Sequence, residues 1–160
     1  MPSLLTAFLA RAQVPDRERL QAAVTDLGFD LFIHVTYRPF HSSGFLPCVL
    51  QGKRAGFEIG FETAGLALVN LPHLTAEIGD RDCAIRLHWG EDMADCACAL
   101  IIAAALAARF GAIVHYKADD LICPADRLAD DARAAVAEAE REPADQSPTL
   151  LPKKPWWRFW

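Results

Sequence analysis

Residues 96–108 are thirteen consecutive alanine, cysteine, leucine and isoleucine residues without a charge. Nothing in this chain limits the possible folds more. A helix that is apolar all round has to be buried on several sides, and a run so rich in alanine lets its neighbours approach closely. It is too short for a membrane span, which needs about 20 apolar residues. Glu91 and Asp92 precede it, Arg109 closes it and Gly111 follows. Acids at the start, a base at the end and a glycine stop fit a helix over about 91–110. A chain of 160 residues can build one core around such a helix, burying about 70 % of its unfolded surface.

The flanking segments read mostly as strands. Residues 31–37 alternate, with Leu31, Ile33, Val35 and Tyr37 on one side. Residues 45–50 and 55–62 read as a hairpin turning at Gly52. Residues 66–71, 83–88, 112–116 and 121–123 are further strand candidates. The order strand, core helix, strand predicts a parallel pair joined by a right-handed crossover. Leu4, Leu5, Phe8 and Leu9 have helical spacing, and a second helix opening at Pro15 carries Leu20, Ala23, Val24 and Leu27 inward, with Gly28 as its stop. A last helix over 124–142 has a thin apolar stripe. The expected fold class is α+β: a mixed, mostly antiparallel sheet packed on the buried alanine-rich helix, with an N-terminal helical pair and a peripheral C-terminal helix. Residues 1–142 form the expected domain, and 143–160 a proline-rich linker and a cationic tryptophan-rich tail.

The net charge of −5 argues against a nucleic-acid binder, which normally shows a basic face. The charge is uneven: residues 119–145 carry −6 and residues 146–160 carry +3. Met1, Pro2 and Ser3 begin the chain without the positive charge of a signal peptide, and the five cysteines lack disulfide-framework spacing. A cytoplasmic chain with reduced thiols is expected, without stable membrane insertion.

No cofactor, metal or catalytic group is expected from the motifs. Cys96 and Cys98 point about 200° apart on a helix and cannot share a metal there. The histidines 34, 41, 73, 88 and 115 have neither zinc-finger nor metalloprotease spacing. His41, beside Ser42 and Ser43 in a loop, and the corner from His88 to Asp92 are the places for an unrecognised enzyme site; without a nucleophile-elbow pattern, loop exposure and helix capping account for them better. The candidate residues are therefore partner-binding ones. Glu58 and Glu62 share one side of the hairpin with Gly60. Asp119, Asp120, Asp126 and Asp130 belong to the acidic segment, whose carboxylates could mimic phosphates in a basic groove. Trp156 and Trp157 are aromatic anchors of the tail.

Gly44-Phe45-Leu46-Pro47, Gly52 and Ala55-Gly56-Phe57-Glu58, followed by Leu87-His88-Trp89-Gly90-Glu91-Asp92-Met93-Ala94 and then Gly111-Ala112, carry a resemblance. Over about residues 31–135 the chain resembles small bacterial immunity proteins of polymorphic toxins, including those of type VI secretion systems. That resemblance implies a cytoplasmic protein that binds a cognate secreted toxin and blocks its active site, the toxin being a nuclease or another enzyme with a basic groove. It transfers no functional residue. The competing expectations are a small enzyme and an adaptor or chaperone of a secretion system.

Overall fold

The computed structural model describes residues 3–141. Seven strands, β1 (Ser3–Leu9), β2 (Leu31–Ile33), β3 (Gly44–Leu50), β4 (Lys53–Thr63), β5 (Cys83–Trp89), β6 (Ile113–Tyr116) and β7 (Leu121–Cys123), alternate with five helices. These are α1 (Arg17–Asp26), α2 (Ala64–Leu68), α3 (Thr75–Ile78), α4 (Met93–Arg109) and α5 (Ala125–Arg141). The strands form one sheet in the order β2-β3-β4-β5-β1-β6-β7. Every neighbouring pair is antiparallel. The fold is α+β with an antiparallel sheet. The candidate tail residues Trp156 and Trp157 lie outside the described residues, as do the linker and tail.

α4 is the core helix. Asp92 caps it by accepting from Ala94 N at 2.8 Å, and nine of its residues are buried, including Ile101, Ile102 and Leu106. Each large one contributes about 1.5–3 kcal/mol by leaving water. They meet Leu5, Ala7 and Leu9 of β1, Ala55, Phe57 and Ile59 of β4, and Ile85 and Leu87 of β5 in one apolar cluster. α5 lies on α4 through Leu128, Ala129, Ala132 and Ala135.

Four expectations fail for identifiable reasons. Residues 3–9 are a strand, so the N-terminal helical pair reduces to α1 alone, capped by Asp16 accepting from Arg19 N at 2.8 Å. Residues 5–9 of β1 are buried whichever face they point to, and a strand buried in that way loses the alternation that distinguishes it from a helix. Residues 83–89 and 113–116 do run in the same direction, but β1 lies between them, antiparallel to each. The expected parallel pair is therefore absent among the described residues. Residues 66–71 do not form a strand: Thr63 Oγ1 accepts from Leu66 N at 3.2 Å and starts the short helix α2.

β2 stops at Ile33 instead of Tyr37, because the next residue on its partner is Pro47. His34 N donates to Pro47 O at 3.2 Å, but proline has no N–H to return the bond. The β3–β4 hairpin turns at Gln51 and Gly52, both at positive φ (50° and 81°), as a two-residue turn requires.

The second sheet face is only partly covered. Segment 64–78 packs Ala64, Leu74 and Ile78 over Phe8 and Ala84. Beyond that small cluster the face is open.

Candidate functional site

Strand alternation and register determine which side chains stand on the open face. Cross-strand pairing sets Gly60 beside Arg86, Arg86 beside Thr6, and Thr6 beside His115. A second row sets Glu58 beside His88 and His88 beside Leu4. Glu58 and Glu62 therefore flank Arg86 diagonally, at the distance long side chains can bridge. The guanidinium lies beside Gly60: a Cβ there would meet Arg86 Nε and Nη2 at 3.9 Å, an ordinary contact.

Two shallow depressions adjoin on this face. One, of about 370 Å³, lies between α2 and the sheet and is lined by Thr6, Glu62, Leu66, Arg86, His115 and Lys117. The other, of about 450 Å³, includes Ser43, Glu58, Gly60, Arg86 and His88. Among the described residues Glu58, Glu62, Arg86 and Lys117 make no ion pair. Leu66 and Val69 on the α2 side are 61 % and 68 % exposed, so apolar surface borders the charged rows.

His115 at the inner end of the first depression is buried, one of two buried polar residues among those described. Its Nε2 reaches Asp120 Oδ1 at 2.8 Å, and His73 Nε2 reaches the same oxygen at 2.9 Å. These two bonds, His115's first, hold the Asp120 carboxyl below its ordinary range. Asp120, expected to face a partner as part of an acidic stretch, joins two histidines while its side chain stays 57 % exposed. Neither spacing nor composition pointed to this cluster, since His73 and Asp120 are 47 residues apart and only the fold brings them together.

The other expected site residues do not form one surface. Asp119 borders a separate cavity of about 290 Å³ against Leu5, Trp89 and Leu100, on the α4 side of the sheet. Asp126 accepts from Arg127 N at 2.9 Å at the start of α5. Asp130 pairs with Arg133 at 2.7 Å, and Arg127–Asp131 and Arg141–Glu138 are further pairs within α5. The acidic helix is thus partly neutralised by its own arginines, and it lies across the sheet from Glu58 and Glu62.

The remaining candidates have structural roles or stand alone. Asp92 caps α4, Trp89 is buried, and His88 belongs to the open face. His41 is exposed, and its backbone N–H donates to Arg38 O at 3.1 Å. Cys96 and Cys98 diverge as helix geometry requires, Cys96 bonding Trp89 and Cys98 meeting Cys48 across the core. Burial pushes the Cys96 thiol up to about 11, while contact with Cys48 and burial raise Cys98 well above its ordinary value. Both are held as thiols, which are poor nucleophiles. No helix among the described residues is long and apolar enough to cross a membrane. No protein-family model, curated protein or solved structure matches the chain.

Proposed function

We propose that this chain is a cytoplasmic immunity protein that binds a cognate secreted bacterial toxin through the open face of its sheet and blocks the toxin's active site. The observation that carries the reading is the row of unpaired charged residues Glu58, Glu62, Arg86 and Lys117 on a hydrogen-bonded antiparallel platform, bordered by exposed Leu66 and Val69. The hydrogen-bonded strands fix where these side chains are anchored, so association orders side chains and not the backbone beneath them. Fixed charge steers encounter and sets register, and the apolar border supplies burial. The toxin as partner rests on the resemblance over residues 31–135. The proposed contact surface is the sheet face in place of the acidic helix, where Asp130, Asp131 and Glu138 already have arginine partners.

The test is co-expression with the toxin candidate encoded beside this chain. The native chain should restore growth and co-elute with the toxin on a sizing column. Glu58→Lys together with Glu62→Lys should abolish both, and a urea titration of the double variant should still show a cooperatively folded chain, Glu58 being exposed and Glu62 half-buried. Full protection by the double variant would remove the sheet face from the interface. Absence of rescue and of a complex with the native chain would remove the immunity reading.

A further inference from the structure

We propose that His73, His115 and Asp120 form a binding site for a divalent transition-metal ion of the Zn²⁺ class, clamping segment 64–78 onto the sheet. The three side chains come from three separate places: the 3-10 turn Pro72–Leu74, strand β6, and the turn between β6 and β7. Their potential ligand atoms all lie within 4.8 Å of one another. Two imidazole nitrogens and a carboxylate oxygen are a donor set that zinc takes readily, with water or substrate in a fourth position.

The distances are close to what a tetrahedral ion needs. Metal bonds of about 2.0–2.2 Å place neighbouring ligand atoms roughly 3.3 Å apart. The present separations of 2.8 and 2.9 Å to Asp120 Oδ1 would open by about half an ångström around an ion of that size. Such a movement is within reach of the two exposed members, since the His73 and Asp120 side chains are 51 % and 57 % exposed. The same exposure lets water complete the shell. The third member is preorganised: the His115 side chain is 2 % exposed, so its ring is held by packing. Asp120 has φ 50°, and its backbone N–H donates to Lys117 O at 3.2 Å. The turn thereby holds the carboxylate toward both histidines.

An ion at this point would connect segments 47 residues apart. Segment 64–78 otherwise rests on a small apolar cluster of Phe8, Ala64, Leu74, Ile78 and Ala84. An ion that binds only the folded chain adds stability that grows with the ratio of its free concentration to Kd. The site adjoins the proposed toxin contact, since His115 also lines the first depression, but its test needs no toxin.

The experiment uses the untagged full chain, stripped with a chelator and titrated with ZnCl₂ by calorimetry. A Co²⁺ titration followed by visible absorption reports ligand geometry. One saturable Zn²⁺ site and a raised Tm on adding Zn²⁺ are expected. His73→Ala and Asp120→Asn, both at exposed positions, should weaken binding by more than the roughly 10–100-fold that loss of an outer partner alone costs, and should remove the Tm rise. Cys96→Ser should leave binding unchanged. Absence of saturable binding would mean a hydrogen-bonded triad only and would overturn the proposal. Equal affinity in the native chain and in His73→Ala, or loss of binding in Cys96→Ser, would place the ion elsewhere and overturn it as well.

Discussion

Asp95 Oδ1 accepts from Gly56 N at 3.0 Å, at the level of β4 where β5 has already ended. Glu58 is the first β4 residue paired with β5, so the Gly56 N–H would otherwise face the sheet edge without a partner, a costly arrangement when part-buried. The same carboxyl is withdrawn from water, and burial, with Asp92 adding to it and the Gly56 N–H opposing, pushes it up from 3.8 to about 7. The folded chain therefore keeps a proton that the unfolded chain releases above about pH 4. This contribution to stability is complete below the unfolded value and is lost as pH rises through about 7. Its size is bounded by about 4 kcal/mol. Asp95→Asn keeps the Oδ1 acceptor and removes the charge, so its urea midpoint should vary less between about pH 4 and 7. At about pH 8 it should exceed that of the native chain. Parallel pH profiles for the two proteins would refute this assignment. Gly56 also admits no substituent: a Cβ there would run into Leu46 O and the Phe45 ring. Neither constraint is legible in a sequence, because each depends on the alignment of strand ends with a helix start.

At the scale of elements, the sheet's β2 edge is closed by side chains of a helix. Gln21 of α1 donates to Leu31 O at 2.7 Å and accepts from Ile33 N at 2.8 Å, and Arg17 Nε donates to Ile33 O at 2.7 Å. One amide side chain thus acts as a further rung of the ladder, and an open strand edge is a template for unwanted pairing. Gln21→Ala should cost about 1–3 kcal/mol, the penalty for leaving such groups unpaired, and should raise the tendency to self-associate. Urea titration and light scattering would measure both. Gln21→Glu, which keeps the acceptor for Ile33 N and loses the donor for Leu31 O, should fall between the two. A null result for Gln21→Ala would mean that water replaces the side chain.

The elements legible beforehand are those whose own chemistry decides them. α4 announced itself through its apolar run and acidic cap, and the β3–β4 hairpin through Gly52 between alternating segments. The misread elements depend on distant partners. β1 looks helical because its residues 5–9 are buried whichever face they point to, and α2 looks like a strand until Thr63 is seen to cap it. Of the candidate site, Glu58 and Glu62 were readable from alternation within β4. Arg86 and Lys117 were not, because their adjacency is created by register between strands far apart in sequence. The triad of His73, His115 and Asp120 required the path of segment 64–78 as well.

At the scale of the whole molecule, β1 holds the sheet together. It is hydrogen-bonded to β5 on one side and β6 on the other, and Ala7, Phe8 and Leu9 are fully buried. β2 and β7 are three-residue edge strands. Stability is expected to be uneven in consequence, with edges opening locally and central strands only on global unfolding. Amide hydrogen exchange should find β1 and β5 exchanging with the free energy of complete unfolding, and β7 with much less. Comparable protection of β7 and β1 would contradict that hierarchy.

β1 also sets a timetable. It is among the first segments a ribosome releases, yet its two partners lie at residues 83–89 and 113–116. Until residue 89 has emerged the polypeptide carries this seven-residue strand, five of its residues apolar, with neither flank occupied. The sheet can close only when residue 116 has emerged, because β6 completes the second side. The centre therefore assembles only once residue 116 is free, and any product truncated before that residue should remain a target for chaperones and proteases.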